Sequence, residues 1–196
     1  MEDDESLMDT VKTLFYAIVI AILIRTFLFE PFKIPSGSMY PTLYVGDYLF
    51  VSKYTYGYSK HSLPFSMPLF EGRIWADEPN RGDVVVFKFP QDNKTDYIKR
   101  IIGLPGETVQ IGTDGTIYID GQVLEEGYGK EVMLSPGRAG EPITLGEDEY
   151  FVLGDNRNNS SDSREPSVGN IHRDQIIGKA WVRIWPFHKF GVLKHQ

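Results

Sequence analysis

Asp83-Val84-Val85-Val86-Phe87-Lys88-Phe89 and Asp96-Tyr97-Ile98-Lys99-Arg100-Ile101-Ile102-Gly103 decide how this chain folds. Both runs are rich in β-branched and aromatic residues, and a turn at Asn80-Arg81-Gly82-Asp83 opens the first. Short apolar runs bounded by turn residues read as strands rather than helices. Working outward, further strands are expected at Phe32–Ile34, Asp47–Val51, Val109–Ile111, Thr116–Ile119, Glu149–Leu153 and Lys179–Ile184. Gly112-Thr113-Asp114-Gly115 reads as a hairpin turn and Asp120-Gly121 as a second tight turn. Many short strands with Gly/Pro punctuation predict a mainly β fold, a partly open barrel or sandwich with a small β insertion. Tyr54–Asn80, with Pro64, Pro68 and Pro79, and the polar, Gly-rich Glu125–Gly146 break the strand pattern and read as insertions.

The chain before Pro31 is different. Val11–Phe29 is an apolar stretch whose centre, Leu14–Ile24, carries no charge, glycine or proline. As a helix it spans roughly 28 Å, close to the hydrocarbon thickness of a bilayer. Lys12 and Arg25 flank the centre and can snorkel to headgroups. A cleaved signal peptide wants a basic start, whereas residues 1–12 hold five acids and one lysine. The expected organisation is an acidic tail over 1–10, one uncleaved transmembrane anchor over 11–30, and a β-rich domain over 31–196. Acids count little in the positive-inside rule, so charge does not orient the anchor.

The formal net charge of -7 argues against nucleic acid, whose phosphates want a basic face. The absence of cysteine excludes disulfides, thiolate metal sites and a thiol nucleophile.

Three features bear on chemistry. Ser38 sits in Pro35-Ser36-Gly37-Ser38-Met39, where Gly37 permits an unusual backbone angle beside an exposed hydroxyl. A serine in such a turn is ordinarily a turn residue; an attacking serine also needs a base and donors for an oxyanion. Of the four histidines, His61, His172, His188 and His195, none lies in a recognisable catalytic pattern, and His172 is the best placed for a triad. Lys99 is the other candidate base. On a strand it shares a face with Tyr97 and Ile101, and partial desolvation there lowers an amine's pKa, although strand lysines are commonly solvated edge residues. The third feature is Gly154-Asp155-Asn156-Arg157-Asn158-Asn159-Ser160-Ser161-Asp162-Ser163-Arg164, after an apolar strand. It fits a calcium loop poorly, with Arg157 in a ligand's place. Two arginines among two aspartates suit a network that holds a loop still.

Taken together, PSGSMYPTL (35–43), GDYLFVSK (46–53), RGDVVVFKFP with DYIKRIIGLPGE (81–90 and 96–107) and GDNRNNSSDSR (154–164), behind the exit RTFLFEPFKI (25–34), resemble the type I signal peptidases, membrane-bound serine proteases with a Ser-Lys dyad. The resemblance implies Ser38 as nucleophile and Lys99 as general base. It implies an oxyanion hole from the Ser38 backbone N–H and the Ser36 hydroxyl, and Ser160 hydrogen-bonded to the lysine amine. Asp162 and Arg164, with Asp155 and Arg100, would brace the site. The substrate, a signal peptide with small residues at -1 and -3, would lie between the Phe32–Ser36 and Asp96–Ile98 segments, with Phe32, Ile34, Ile98 and Tyr97 walling shallow pockets. No cofactor or metal is expected. A monomer is expected, anchored in a bacterial cytoplasmic membrane with its catalytic domain on the outer face.

Overall fold

The computed structural model describes residues 2–59, 72–74, 77–128 and 132–194, with side chains from residue 7 onward. His61, Pro64, Pro68 and His195 lie outside the described residues. The chain opens with a helix, α1 (Glu2–Phe27). It begins within the stretch read as a tail and stops short of Phe29, because Phe29 already pairs with Ser52 as a strand. Within α1, Leu7–Phe27 has a mean hydropathy of 2.0 and is long and apolar enough to cross a membrane.

Fourteen strands follow among the described residues: β1 (Phe29–Lys33), β2 (Tyr48–Ser52), β3 (Tyr58–Ser59), β4 (Arg73–Ile74), β5 (Val84–Lys88), β6 (Asp96–Gly103), β7 (Thr108–Ile111), β8 (Ile117–Ile119), β9 (Gln122–Val123), β10 (Ile143–Thr144), β11 (Glu149–Leu153), β12 (Ile171–His172), β13 (Ile176–Trp185) and β14 (Gly191–Val192). The main sheet is antiparallel in the order β1-β2-β13-β5-β6-β11-β12, with β14 on β13. It is open, and β1 is its edge. That edge position accommodates Pro31, which has no N–H for a ladder and pairs with Phe50 on one side only.

A second sheet, β10-β7-β8-β9, is inserted between β6 and β11. It is the expected small insertion, but it starts at β7, upstream of Glu125. Its β7–β8 hairpin turns at Gly115, which adopts φ +85° as the tight turn requires. Val84–Phe87 of β5 are all buried, so that strand has no solvent face to alternate with. One core cluster joins Val84, Val86 and Ile98 to Ile34, Met39, Leu43 and Leu49. A second joins Ile102, Phe151 and Leu153 to Val109, Ile111 and Ile117 of the small sheet. The segment carrying Ser38 is therefore packed against the strands that carry Lys99.

Candidate active site

Beyond β1 the chain stays pinned to the sheet: Ile34 N–H donates to Asp47 O (2.8 Å) and Gly46 N–H to Ile34 O (2.9 Å). Residues 35–38 then turn, with Tyr40 N–H donating to Gly37 O (3.1 Å) and Leu43 N–H to Met39 O (2.8 Å). Met39 and Leu43 are fully buried, so the residue after Ser38 is driven into the core and the hydroxyl is left at its rim. Gly37 does not adopt a left-handed backbone, contrary to the expectation, and a Cβ there would meet nothing within 4 Å. Its contribution is open space beside the hydroxyl.

The 154–164 loop closes on this turn. Asn156 donates from its backbone N–H to Ser38 O (3.1 Å) and from Nδ2 to Gly37 O (2.9 Å). Asn156 was not singled out in the sequence; only its membership of the loop pointed to it. Gly154 passes so close that a Cβ on it would lie 2.5 Å from Ser38 O.

Lys99 lies opposite Val85 in the middle of the sheet and is only 4% exposed, unlike an edge lysine. Its Nζ donates to Ser38 Oγ (2.9 Å) and to Ile98 O (2.9 Å). The Tyr97 ring centroid is 5.3 Å away. Among the described residues no carboxylate pairs with this amine within 4 Å. Burial pushes its pKa down from 10.5 to about 8, against weaker opposing pulls from Asp162, Asp155 and Glu165. Ser36 Oγ donates to Ser38 Oγ at 3.4 Å. The Ser38 N–H has no acceptor among the described residues, which leaves a donor free beside the hydroxyl.

Ser160 departs from expectation. It lines the same cleft, yet its buried hydroxyl has no hydrogen-bond partner among the described residues and makes none with Lys99. Ile98 O and Ser38 Oγ take the amine's hydrogens, and Ser160 Oγ lies instead against the Gly154 backbone, 2.1 Å from where a Cβ would stand.

The paired charges of the loop are buried and bidentate. Arg100 donates from Nε to Asp155 Oδ1 (2.8 Å) and from Nη2 to Oδ2 (2.6 Å), and Thr42 Oγ1 donates to Oδ2 (2.5 Å). Arg164 donates to Asp162 Oδ1 (2.8 Å) and Oδ2 (2.9 Å), and Asp162 also accepts from Gly154 N–H (3.0 Å). Such fork-to-fork pairs fix direction as well as distance. Two partners came from the insertion and were not anticipated: Glu126 pairs with Arg157, and the Tyr128 ring lies 3.9 Å from the Arg100 guanidinium. Both residues lie outside the strands of that insertion, so no periodicity pointed to these contacts.

Ser38 and Lys99 open into a cleft of about 620 Å³, also lined by Ser36, Tyr97, Ile98 and Ser160. Beside it lies a depression of about 170 Å³, lined by Phe32, Ile34, Val86, Tyr97 and Ile98. His172 is exposed and accepts from Asp174 N–H at 3.3 Å to cap a short turn, so its Nδ1 is occupied away from the serine. His188 lies in the short turn before β14.

The family described as "Signal peptidase, peptidase S26" matches residues 7–185. The signal peptidase I of Rickettsia canadensis is 40% identical over 209 residues, covering 89% of this chain and 78% of the relative. That of Leptolyngbya laminosa is 41% identical over 198 residues, covering 97% and 85%. A solved signal peptidase I from Enterococcus faecalis is 36% identical, with a TM-score of 0.44, over 53% of this chain and 97% of that one. With the family matched over residues 7–185 and relatives about 40% identical along most of the chain, the chain belongs to the signal peptidase family, peptidase S26.

Proposed function

We propose that this membrane-anchored serine endopeptidase removes signal peptides from preproteins with Ser38 as nucleophile and Lys99 as base. The observation that carries the assignment is the 2.9 Å contact between Nζ and Oγ in a buried cleft without a paired carboxylate. Neutral Nζ takes the Ser38 proton as Oγ attacks the carbonyl carbon of residue -1. The oxyanion is met by the free Ser38 N–H and by the Ser36 hydroxyl turned toward it. Collapse breaks the C–N bond, and the ammonium hands its proton to the departing amine, the new N-terminus of the mature chain. Water then attacks the ester, Lys99 taking its proton and returning it to Ser38 Oγ as the signal peptide leaves with a carboxylate.

An extended signal peptide adds beside Pro35–Ser36 and Thr95–Ile98, whose side chains line the cleft. The 170 Å³ depression suits the small side chains at -1 and -3. Asp155, Arg100, Asp162 and Arg164 keep the loop in place, and Ser160 lines the same cleft as the amine. The exposed Trp185, Phe187, Phe190 and Val192 at the β13–β14 end rest on lipid. The enzyme works as a monomer on the outer face of a bacterial cytoplasmic membrane.

The test is incubation of the detergent-solubilised full chain with a preprotein of known cleavage site. Ser38→Ala and Lys99→Ala are each expected to lower kcat by roughly 10³-fold or more while circular dichroism stays unchanged. Wild-type rates in either variant would refute the assignment.

A further inference from the structure

The central cleft shares walls with two depressions that share none with each other. One is the apolar depression at Phe32 and Ile34. The other, about 230 Å³, adjoins the cleft through Asn158, Ser160 and Glu165 and continues to Leu134 and Ser135. An extended peptide crossing Ser38 with its -3 and -1 side chains toward the apolar depression turns its +1 side chain away and its +2 side chain back toward the enzyme. That +2 side chain falls past the serine, where the second depression opens.

The walls of this depression are fixed and their charge is decided. Leu134 is 81% exposed, yet its backbone is held, its N–H donating to Asn158 Oδ1 (2.8 Å) while Asn158 Nδ2 donates to Val132 O (3.0 Å). Arg157 and Arg164 form the floor, but Glu126 and Asp162 neutralise them. The Glu165 carboxylate is exposed and, among the described residues, accepts only from hydroxyls, Ser161 Oγ (2.7 Å) and Ser167 Oγ (3.3 Å). It is the one carboxylate of the lining without a cation paired to it among the described residues.

We propose that this depression is the subsite for the second residue of the mature chain, and that Glu165 makes it prefer a basic over an acidic side chain there. The inference rests on the proposed path of the substrate across Ser38. A partly exposed charge pair is worth a few-fold in rate rather than an absolute choice.

The full-length enzyme in detergent is given three preproteins that share one signal peptide and differ only at +2, as Ala, Lys or Glu. Wild type is expected to show kcat/KM about three- to fivefold higher for Lys than for Glu. Glu165→Gln should bring the ratio to about one and Glu165→Lys should invert it. Leu134→Lys, on an exposed side chain across the depression, should lower the ratio too and carries the test if residue 165 proves necessary for folding. A Lys/Glu ratio that stays the same in all variants, with the Ala substrate still cleaved, overturns the subsite. Failure of wild type to cleave the Ala substrate overturns the underlying path instead.

Discussion

Lys99 is a lysine whose surroundings disfavour its own charge. With its pKa near 8, roughly a tenth of the enzyme carries the free amine at pH 7. The pH profile of kcat/KM should therefore rise about tenfold per pH unit below about 8 and level off above it; a flat profile from pH 5 to 9 would exclude a lysine base. The same shift bears on stability. The folded state holds this proton more weakly than the unfolded chain, whose lysine titrates near 10.5. Between about 8 and 10.5 the unfolded state binds more protons, so stability from this group grows as pH rises through that window. Below about 8 both states are protonated and the full penalty, up to about 3 kcal/mol, remains. Lys99→Met is thus expected to be inactive yet to melt no lower than wild type at pH 7, with its relative advantage shrinking toward pH 10, as thermal denaturation at the two pH values would show. The sequence already pointed to a lowered pKa, through the Tyr97 and Ile101 neighbours on the strand face; the depth of the burial was not readable there, because it comes from β5, β11 and the serine turn together. Ser160 shows the converse: the resemblance supplied its role, and its hydroxyl points against Gly154 instead.

The pieces that meet at the serine are a turn and a loop, each short of internal regularity. What fits them together is the lack of a side chain at Gly154, where a Cβ would lie 2.1 Å from Ser160 Oγ and 2.5 Å from Ser38 O. Gly154→Ala is expected to push the serine turn off the loop, lowering kcat by roughly 10²-fold or more and stability by about 1–3 kcal/mol, read from single-turnover kinetics and urea unfolding. The long elements were legible for physical reasons. β5 and β6 are dense in β-branched residues, and β7–β8 carries its turn glycine. The strands β3, β4, β9, β10, β12 and β14 are two residues each, too short to display a period of two. The end of α1 was misjudged because Leu28 and Phe29 are as apolar as the helix before them, and only their pairing with β2 tells them apart.

At the scale of the molecule, one face of the sheet continues the anchor. Phe29, next to α1, stacks on Trp181 with ring centroids 5.2 Å apart, and Trp185 meets Phe187 edge-on at 4.7 Å. Trp185, Phe187 and Phe190 remain 48%, 75% and 66% exposed. Full-length enzyme with Trp75→Phe and Trp181→Phe, reconstituted in vesicles, should show Trp185 fluorescence strongly quenched by lipids brominated near the headgroup; unchanged emission would place this face in water. The β class and the anchor were both readable from composition and run length. The contacts of Glu126 with Arg157 and of Tyr128 with Arg100 were not, because they come from a stretch outside any strand.

Only Leu28 separates α1 from β1, and that junction is tied down. Leu28 O accepts from Lys53 N–H at 3.1 Å, Phe27 O accepts from the Tyr58 hydroxyl, and Glu30 pairs with Lys53 at 2.7 Å. The helix is thus joined to the sheet as a strut rather than a tether, and under the proposed function it would hold Ser38 Oγ at one altitude over the bilayer. Substrates are then measured as well as read. Under the proposed function, a suitable pair of small residues displaced along the membrane normal, deep in a mature protein or sunk among acyl chains, would escape scission because it never arrives at that height.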